Sequence, residues 1–274
     1  MCIRDSTTAD ANTAMGYEAL KSNTTAEANS AVGFQSLRAN TTGANNTGIG
    51  MSALYSNTTG SSGTAVGYRA LKANTTGVRN TAFGVESQFA TTTADDNTSI
   101  GAFSLYTNTT GTDNVAVGKS ALERNTTAAN HVAVGKSALF WNTTGANNTA
   151  VGMESLLNNT TATGNVAVGM QTLRANTTGA SNVALGNKAL LVNTTASSNT
   201  AVGGSSLRAN TTGTENTAVG GRALALTTTG SYNTSVGKDS SYTNTTGAKN
   251  SAFGLNALYS NTQVVIIQHW VKVL

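Results

Sequence analysis

Histidine is where acid–base or nucleophilic chemistry is sought first, and this chain has two, His131 and His269. His131 stands where nearly every equivalent place carries Asn, so it reads as a turn substitute. His269 lies in a terminal segment unlike the rest of the chain. Without a nearby histidine, the many Ser and Thr hydroxyls form no Ser/His/Asp set. The single cysteine, Cys2, allows no internal disulfide framework. The carboxylates are dispersed and the Gly-Gly-x-Gly-x-Asp calcium repeat is missing, which argues against a metal site. No glycine precedes a Gly-Lys-Thr phosphate loop. The sequence therefore predicts no enzyme, no cofactor and no metal centre.

Two other rows carry candidate chemistry. Asn-Thr-Thr is an acceptor sequon for N-glycosylation, and it recurs at Asn23, Asn40, Asn57, Asn74, Asn108, Asn125, Asn142, Asn159, Asn176, Asn193, Asn210 and Asn244. The same asparagines also suit a stacked ladder in which each side chain bonds to the copies above and below. The second row contains Arg38, Tyr55, Phe89, Tyr106, Phe140, Arg174, Arg208, Tyr242 and Tyr259. Aromatic rings and guanidinium groups in line suit a lateral face for glycans or a cell-surface receptor. The competing reading is that these long side chains cover coil edges with their stems.

Both rows have one period. Glycine recurs every 17 residues from Gly16 to Gly254, giving fifteen copies in register without an insertion. Each copy is numbered here from its first Asn. Position 1 is Asn except at Gly63 and His131; position 5 is always Gly; position 9 is Leu except at Gln88 and Ser241; position 12 is Asn except at Thr91 and Thr227. Such a period predicts a stacked repeat rather than a globular domain. Charged residues make up 10% and aromatics 5%, too little bulk for a thick core, and proline is absent. A missing proline suits a structure in which every backbone N–H is needed by a ladder.

The fold predicted is an all-β β-solenoid or β-roll of about fifteen 17-residue coils, each with two short strands and two turns. At about 4.8 Å per coil this is a rod of roughly 70 Å. A helical repeat is the competing reading, weakened because helical repeats are about twice as long. The invariant Gly at position 5 calls for a positive φ or a backbone approach too close for a Cβ. Phe89 and Tyr242 stand beside the two departures from Leu and are expected to fill the space.

Alternate residues of a strand point to opposite sides, and positions 3 and 4 are both restricted. Position 4 is bulky and apolar, as in Val202, and position 3 is Ala, Gly or Ser, as in Ala201. This pattern predicts Val202 and Leu207 inside the coil, with Ala201 and Ser206 on a second packed face. A second packed face implies several chains, most simply a homo-trimer or a filament.

The sixteen basic residues are scattered and the net charge is +4, so no nucleic-acid stripe is present. No run of about 18 apolar residues offers a membrane-spanning helix. Residues 1–6 stand apart from the array at 7–262, and Met-Cys-Ile-Arg-Asp-Ser resembles a translated sequencing-adapter scar. Residues 263–274 form an apolar tail, read as a frameshift or, alternatively, a cap.

The motif Asn-Thr-Ala-Val-Gly-x-x-Ala-Leu-x-x-Asn-Thr-Thr-Gly resembles the arrays of tail-fibre-domain proteins. More loosely, it is similar to the Ala-Val/Ile-Gly repeats in the heads of trimeric autotransporter adhesins. That resemblance covers Asn12 to Thr262 and implies trimeric, extracellular β-roll fibres used for attachment. The adhesin-head repeat is shorter than 17 residues, and neither an anchor nor a C-terminal chaperone domain accompanies the array. The function expected is a structural fibre or surface filament, glycan-coated or bare, serving as the shaft of an attachment appendage. An adhesin with a lateral binding face is the alternative. Ice binding is remote, because Thr-Thr falls beside turns rather than as Thr-x-Thr on a strand.

Overall fold

A computed structural model describes residues 10–262. Cys2, His269 and the segments proposed as scar and tail lie outside the described residues. The chain divides into two compact units between Ser137 and Ala138.

Each unit is a parallel β-solenoid in which one copy makes one coil. In the first unit the strands are Thr13–Met15, Ser30–Val32, Thr47–Ile49, Thr64–Val66, Thr81–Phe83, Thr98–Ile100, Val115–Val117 and Val132–Val134, called β1 to β8. In the second they are Thr149–Val151, Val166–Val168, Val183–Leu185, Thr200–Val202, Thr217–Val219, Thr234–Val236 and Ser251–Phe253, β9 to β15. Within each unit every strand pairs parallel with the next, and the register offset is one repeat: Ala65 faces Ala82 as Ala201 faces Ala218.

Each coil has one strand, at positions 2–4, and not the two expected. The remaining residues form turns and bends, with no helix among the described residues. The reason lies in the backbone of positions 6–11. Residues at positions 7 and 9 take left-handed φ values, 54° at Arg69 and 50° at Leu71, which fit neither a strand nor a helix. The N–H groups of this arch still reach the neighbouring coils: Leu54 N–H donates to the Ala70 carbonyl at 3.0 Å, and Ser52 N–H donates to Phe34 at 2.9 Å. The ladder thus runs through the whole coil although only three residues of it are strand.

Position 5 meets both requirements placed on it. Gly203 has φ of 128°, and a Cβ there would lie 2.6 Å from the carbonyl oxygen of Gly220 in the next coil. Position 15 accepts Ala, as at Ala94 and Ala162, although a Cβ at Gly43 would press on the Gly60 carbonyl oxygen. Its φ lies outside the left-handed region, so a small backbone shift admits the methyl group, and it is the added demand of a positive φ that sets position 5 apart.

The interior differs from the expected one. Position 3 points inward: Ala201 and Ser206 are fully buried together with Leu207, and Val202 lies on the outer side of the strand. The lumen is narrow. At Gly48 a Cβ would sit 3.3 Å from Leu37 Cγ and close to Ser36 Oγ, so only Ala, Gly or Ser fits beside the leucine column. The core of the early coils is correspondingly a file of Leu and Ala, from Ala19 and Leu20 to Leu71 and Ala82.

The two departures from Leu have polar side chains at the buried place, with the neighbouring aromatics outside. Gln88 Nε2 donates to the Thr81 carbonyl and to Ser99 Oγ, both at 2.9 Å. Ser240 and Ser235 meet hydroxyl to hydroxyl at 2.7 Å beside Ser241. Phe89 and Tyr242 lie outside, half-buried.

Candidate functional site

The asparagines of both columns are interior groups. Asn57 Nδ2 donates to Asn40 Oδ1 at 2.7 Å and to the Gly60 carbonyl of its own coil at 2.9 Å. Asn46, at position 1, donates to the same Gly60 carbonyl at 2.8 Å, and its Oδ1 accepts the Gly63 N–H at 2.8 Å. One carbonyl therefore ties two corners of the coil, and each Asn also ties its coil to a neighbour. His131 occupies the same buried place, and its N–H donates to Asn114 Oδ1 at 3.1 Å.

All twelve sequon asparagines, Asn23 to Asn244, are at most 1% exposed. The sugar acceptor in such a residue is Nδ2, the atom held inside the coil, so a glycan at this place requires the coil to be open. Of the two sequon threonines, the first is committed as well: Thr58 Oγ1 donates to the Thr75 carbonyl at 3.0 Å. The second, such as Thr59, is exposed.

Where the Asn column breaks, a partner is lost. Thr91 replaces Asn, and both its Oγ1 and the Oδ1 of Asn74 below it are buried without a hydrogen-bond partner among the described residues. Thr91→Asn supplies a donor to Asn74 and should stabilise the array by about 1–3 kcal/mol, the cost of an unmet buried polar group. Denaturant midpoints of the two proteins check this, and an unchanged or lower midpoint contradicts it.

Position 10 forms the outer row identified from sequence, and its members engage one another. Phe89 stacks on Tyr106 with centroids 5.2 Å apart and planes 13° apart, and Tyr242 stacks on Tyr259 in the same way. Arg38 lies 5.6 Å from the Tyr55 ring. Phe140 meets Trp141 edge to face. Arg174 pairs with Glu154 at 2.9 Å, and Arg208 is exposed. Ring faces that a sugar would need are largely turned to the next ring along the stack.

The strongest electrostatic group is Glu18. Its carboxylate takes Lys21 Nζ at 2.6 Å, Arg38 Nε at 2.6 Å and Gln35 Nε2 at 2.9 Å. The bond from Lys21, then that from Arg38, then that from Gln35 lower its pKa from 4.5 to about 2. A depressed carboxyl contributes where it is ionised, so these contacts are in place above pH 4.5 and are lost as pH falls through about 2. An NMR titration should place the Glu18 midpoint near 2, with Lys21→Gln and Arg38→Gln each moving it upward. A midpoint of 4.5 in the unaltered protein contradicts the arrangement.

Among the described residues no group of three His, Cys, Asp or Glu side chains is placed to hold a metal, and no helix is long and apolar enough to cross a membrane.

One row escaped sequence reasoning. Positions 2 and 4 face outward from the strand, and none of the thirty residues there is charged. Position 2 is only Thr, Ser or Val; position 4 is Val, Ile, Leu, Phe or Met. The signal was present in that restriction of position 2 alongside position 4. No protein-family model, curated protein or solved structure matches the chain.

Proposed function

We propose that this chain is a structural shaft: a segment of an extracellular fibre, assembled from several copies, that supports attachment rather than performing it. The observation that carries the reading is the wholly uncharged outer face of the strands, repeated in every coil. A solvated β face normally gathers Lys, Glu and Gln. Here position 4 is apolar in every coil and position 2 is Thr, Ser or Val, and an apolar row repeated over many coils marks an interface. The use of Asn, Gly and Leu points the same way, since each serves to close or register a coil.

Attachment and an extracellular location rest on the resemblance to tail-fibre and adhesin-head arrays. The position 10 row gives less support to lateral capture of a glycan or receptor, because its rings stack on one another. Light scattering on the purified protein tests the reading. A molar mass of two or more times 27.7 kDa supports it, and a monodisperse species of 27.7 kDa at all concentrations overturns it.

A further inference from the structure

We infer that a furrow along the first five coils is the docking face for the same face of a second copy. This inference rests on the proposed self-association and names the surface that performs it. The floor of the furrow is the glycine column of position 5. Gly33 and Gly50 combine φ of 132° and 128° with a close approach, a Cβ at either lying 2.6 and 2.5 Å from the carbonyl oxygen of the next glycine, so neither place takes a side chain without strain. The walls are positions 4 and 6, where Phe34, Ile49, Met51, Tyr68, Phe83 and Val85 are 37–54% exposed.

The furrow is bounded. From coil 7 position 6 turns basic, with exposed Lys119 and Lys136, so within this unit the paired apolar rows belong to the early coils alone. Ten wall residues left half-exposed present on the order of 300–600 Å² of apolar surface, if full burial of each is worth about 1.5–3 kcal/mol at about 25 cal/mol per Å². The outward threonines of the same strands add to it. That area approaches the roughly 800 Å² per partner of an ordinary stable interface.

A second copy fits better than a foreign partner for two reasons. The wall side chains themselves are uncharged, and the guanidinium that lies over the Tyr68 ring, that of Arg69, is already paired with Glu86 at 3.2 Å, so little charge is left with which to specify a different chemistry. Its ridges also repeat at the strand spacing, so an identical face can place its wall residues over the glycine floor in every coil it covers.

The test is sedimentation equilibrium of the full chain, over about 1 to 100 µM. It compares the unaltered protein, Phe34→Lys/Met51→Lys and the control Asn45→Lys. Lysine occupies position 6 naturally at Lys119, Lys136 and Lys238, and Lys249 occupies the place of Asn45, so each variant asks for a residue the coil already accepts. Far-UV circular dichroism confirms that the fold is retained. The expected result is association of the unaltered protein, an association constant at least about tenfold lower in the double variant, and no change in the control. A chain that never associates overturns both the self-association and this face. Association that survives the double variant overturns the face alone.

Discussion

Gly203→Ala is expected to break the solenoid at its own coil. The new Cβ meets the backbone of Gly220 at 2.6 Å, and no side-chain rotation relieves a contact between backbones. The residue must also keep a φ of 128°, which alone costs an alanine about 1–3 kcal/mol. Release requires the two coils to part, losing the bond from Gly220 N–H to the Val202 carbonyl at 2.7 Å. The combined loss should exceed about 4 kcal/mol, the range reserved for severe backbone or core damage. In a stacked array each coil leans on its neighbours, so amide exchange should rise around this coil first. Gly221→Ala is the control one coil further on. A Cβ there meets nothing within 4 Å, and the change should stay within about 0.5 kcal/mol.

The second large effect concerns Leu71. It is fully buried yet held at φ of 50°, a conformation that costs a non-glycine residue about 1–2 kcal/mol. Burial of the leucine side chain returns about 1.5–3 kcal/mol, plus the packing contacts of a closed core, so leucine prevails over its own strain. Leu71→Ala should therefore cost about 2–5 kcal/mol, because the strain stays and the burial goes. Leu71→Gly removes the strain as well. Where an ordinary strand or helix site penalises glycine against alanine by about 0.5–1 kcal/mol, here glycine should equal or exceed alanine. Denaturant midpoints of the two variants decide it, and a glycine variant clearly weaker than the alanine one contradicts the strained-leucine account.

These two residues also show what the sequence could and could not reveal. The period, the in-register parallel stack and the demand on position 5 followed from glycine recurring every 17 residues, since only a constraint repeated in every coil excludes all other side chains. Leu71 was legible as core but not as left-handed, because leucine is among the last residues one would place there. That hidden turn removed the second strand. It also narrowed the lumen, and the narrow lumen decides which side of the strand faces in. Alternation alone says that Ala201 and Val202 point oppositely, and hydrophobicity then favours Val202 as the buried one. The structure has Ala201 inside because only a small residue fits against the Leu and Ser of positions 9 and 8, as the surroundings of Gly48 show. Asn57 carried a similar ambiguity: sequon and register ladder are written with the same residues, and burial separates them.

The assembly is tested most directly by electron cryomicroscopy of this chain, with its coils seen in cross-section. The account predicts more than one chain per cross-section, with the strand side chains of positions 2 and 4 turned toward the neighbouring chain and the Ala–Leu–Asn column enclosed within each coil. A single isolated chain per cross-section, or copies that meet through the position 10 row while Val and Ile of position 4 stay in solvent, would contradict it.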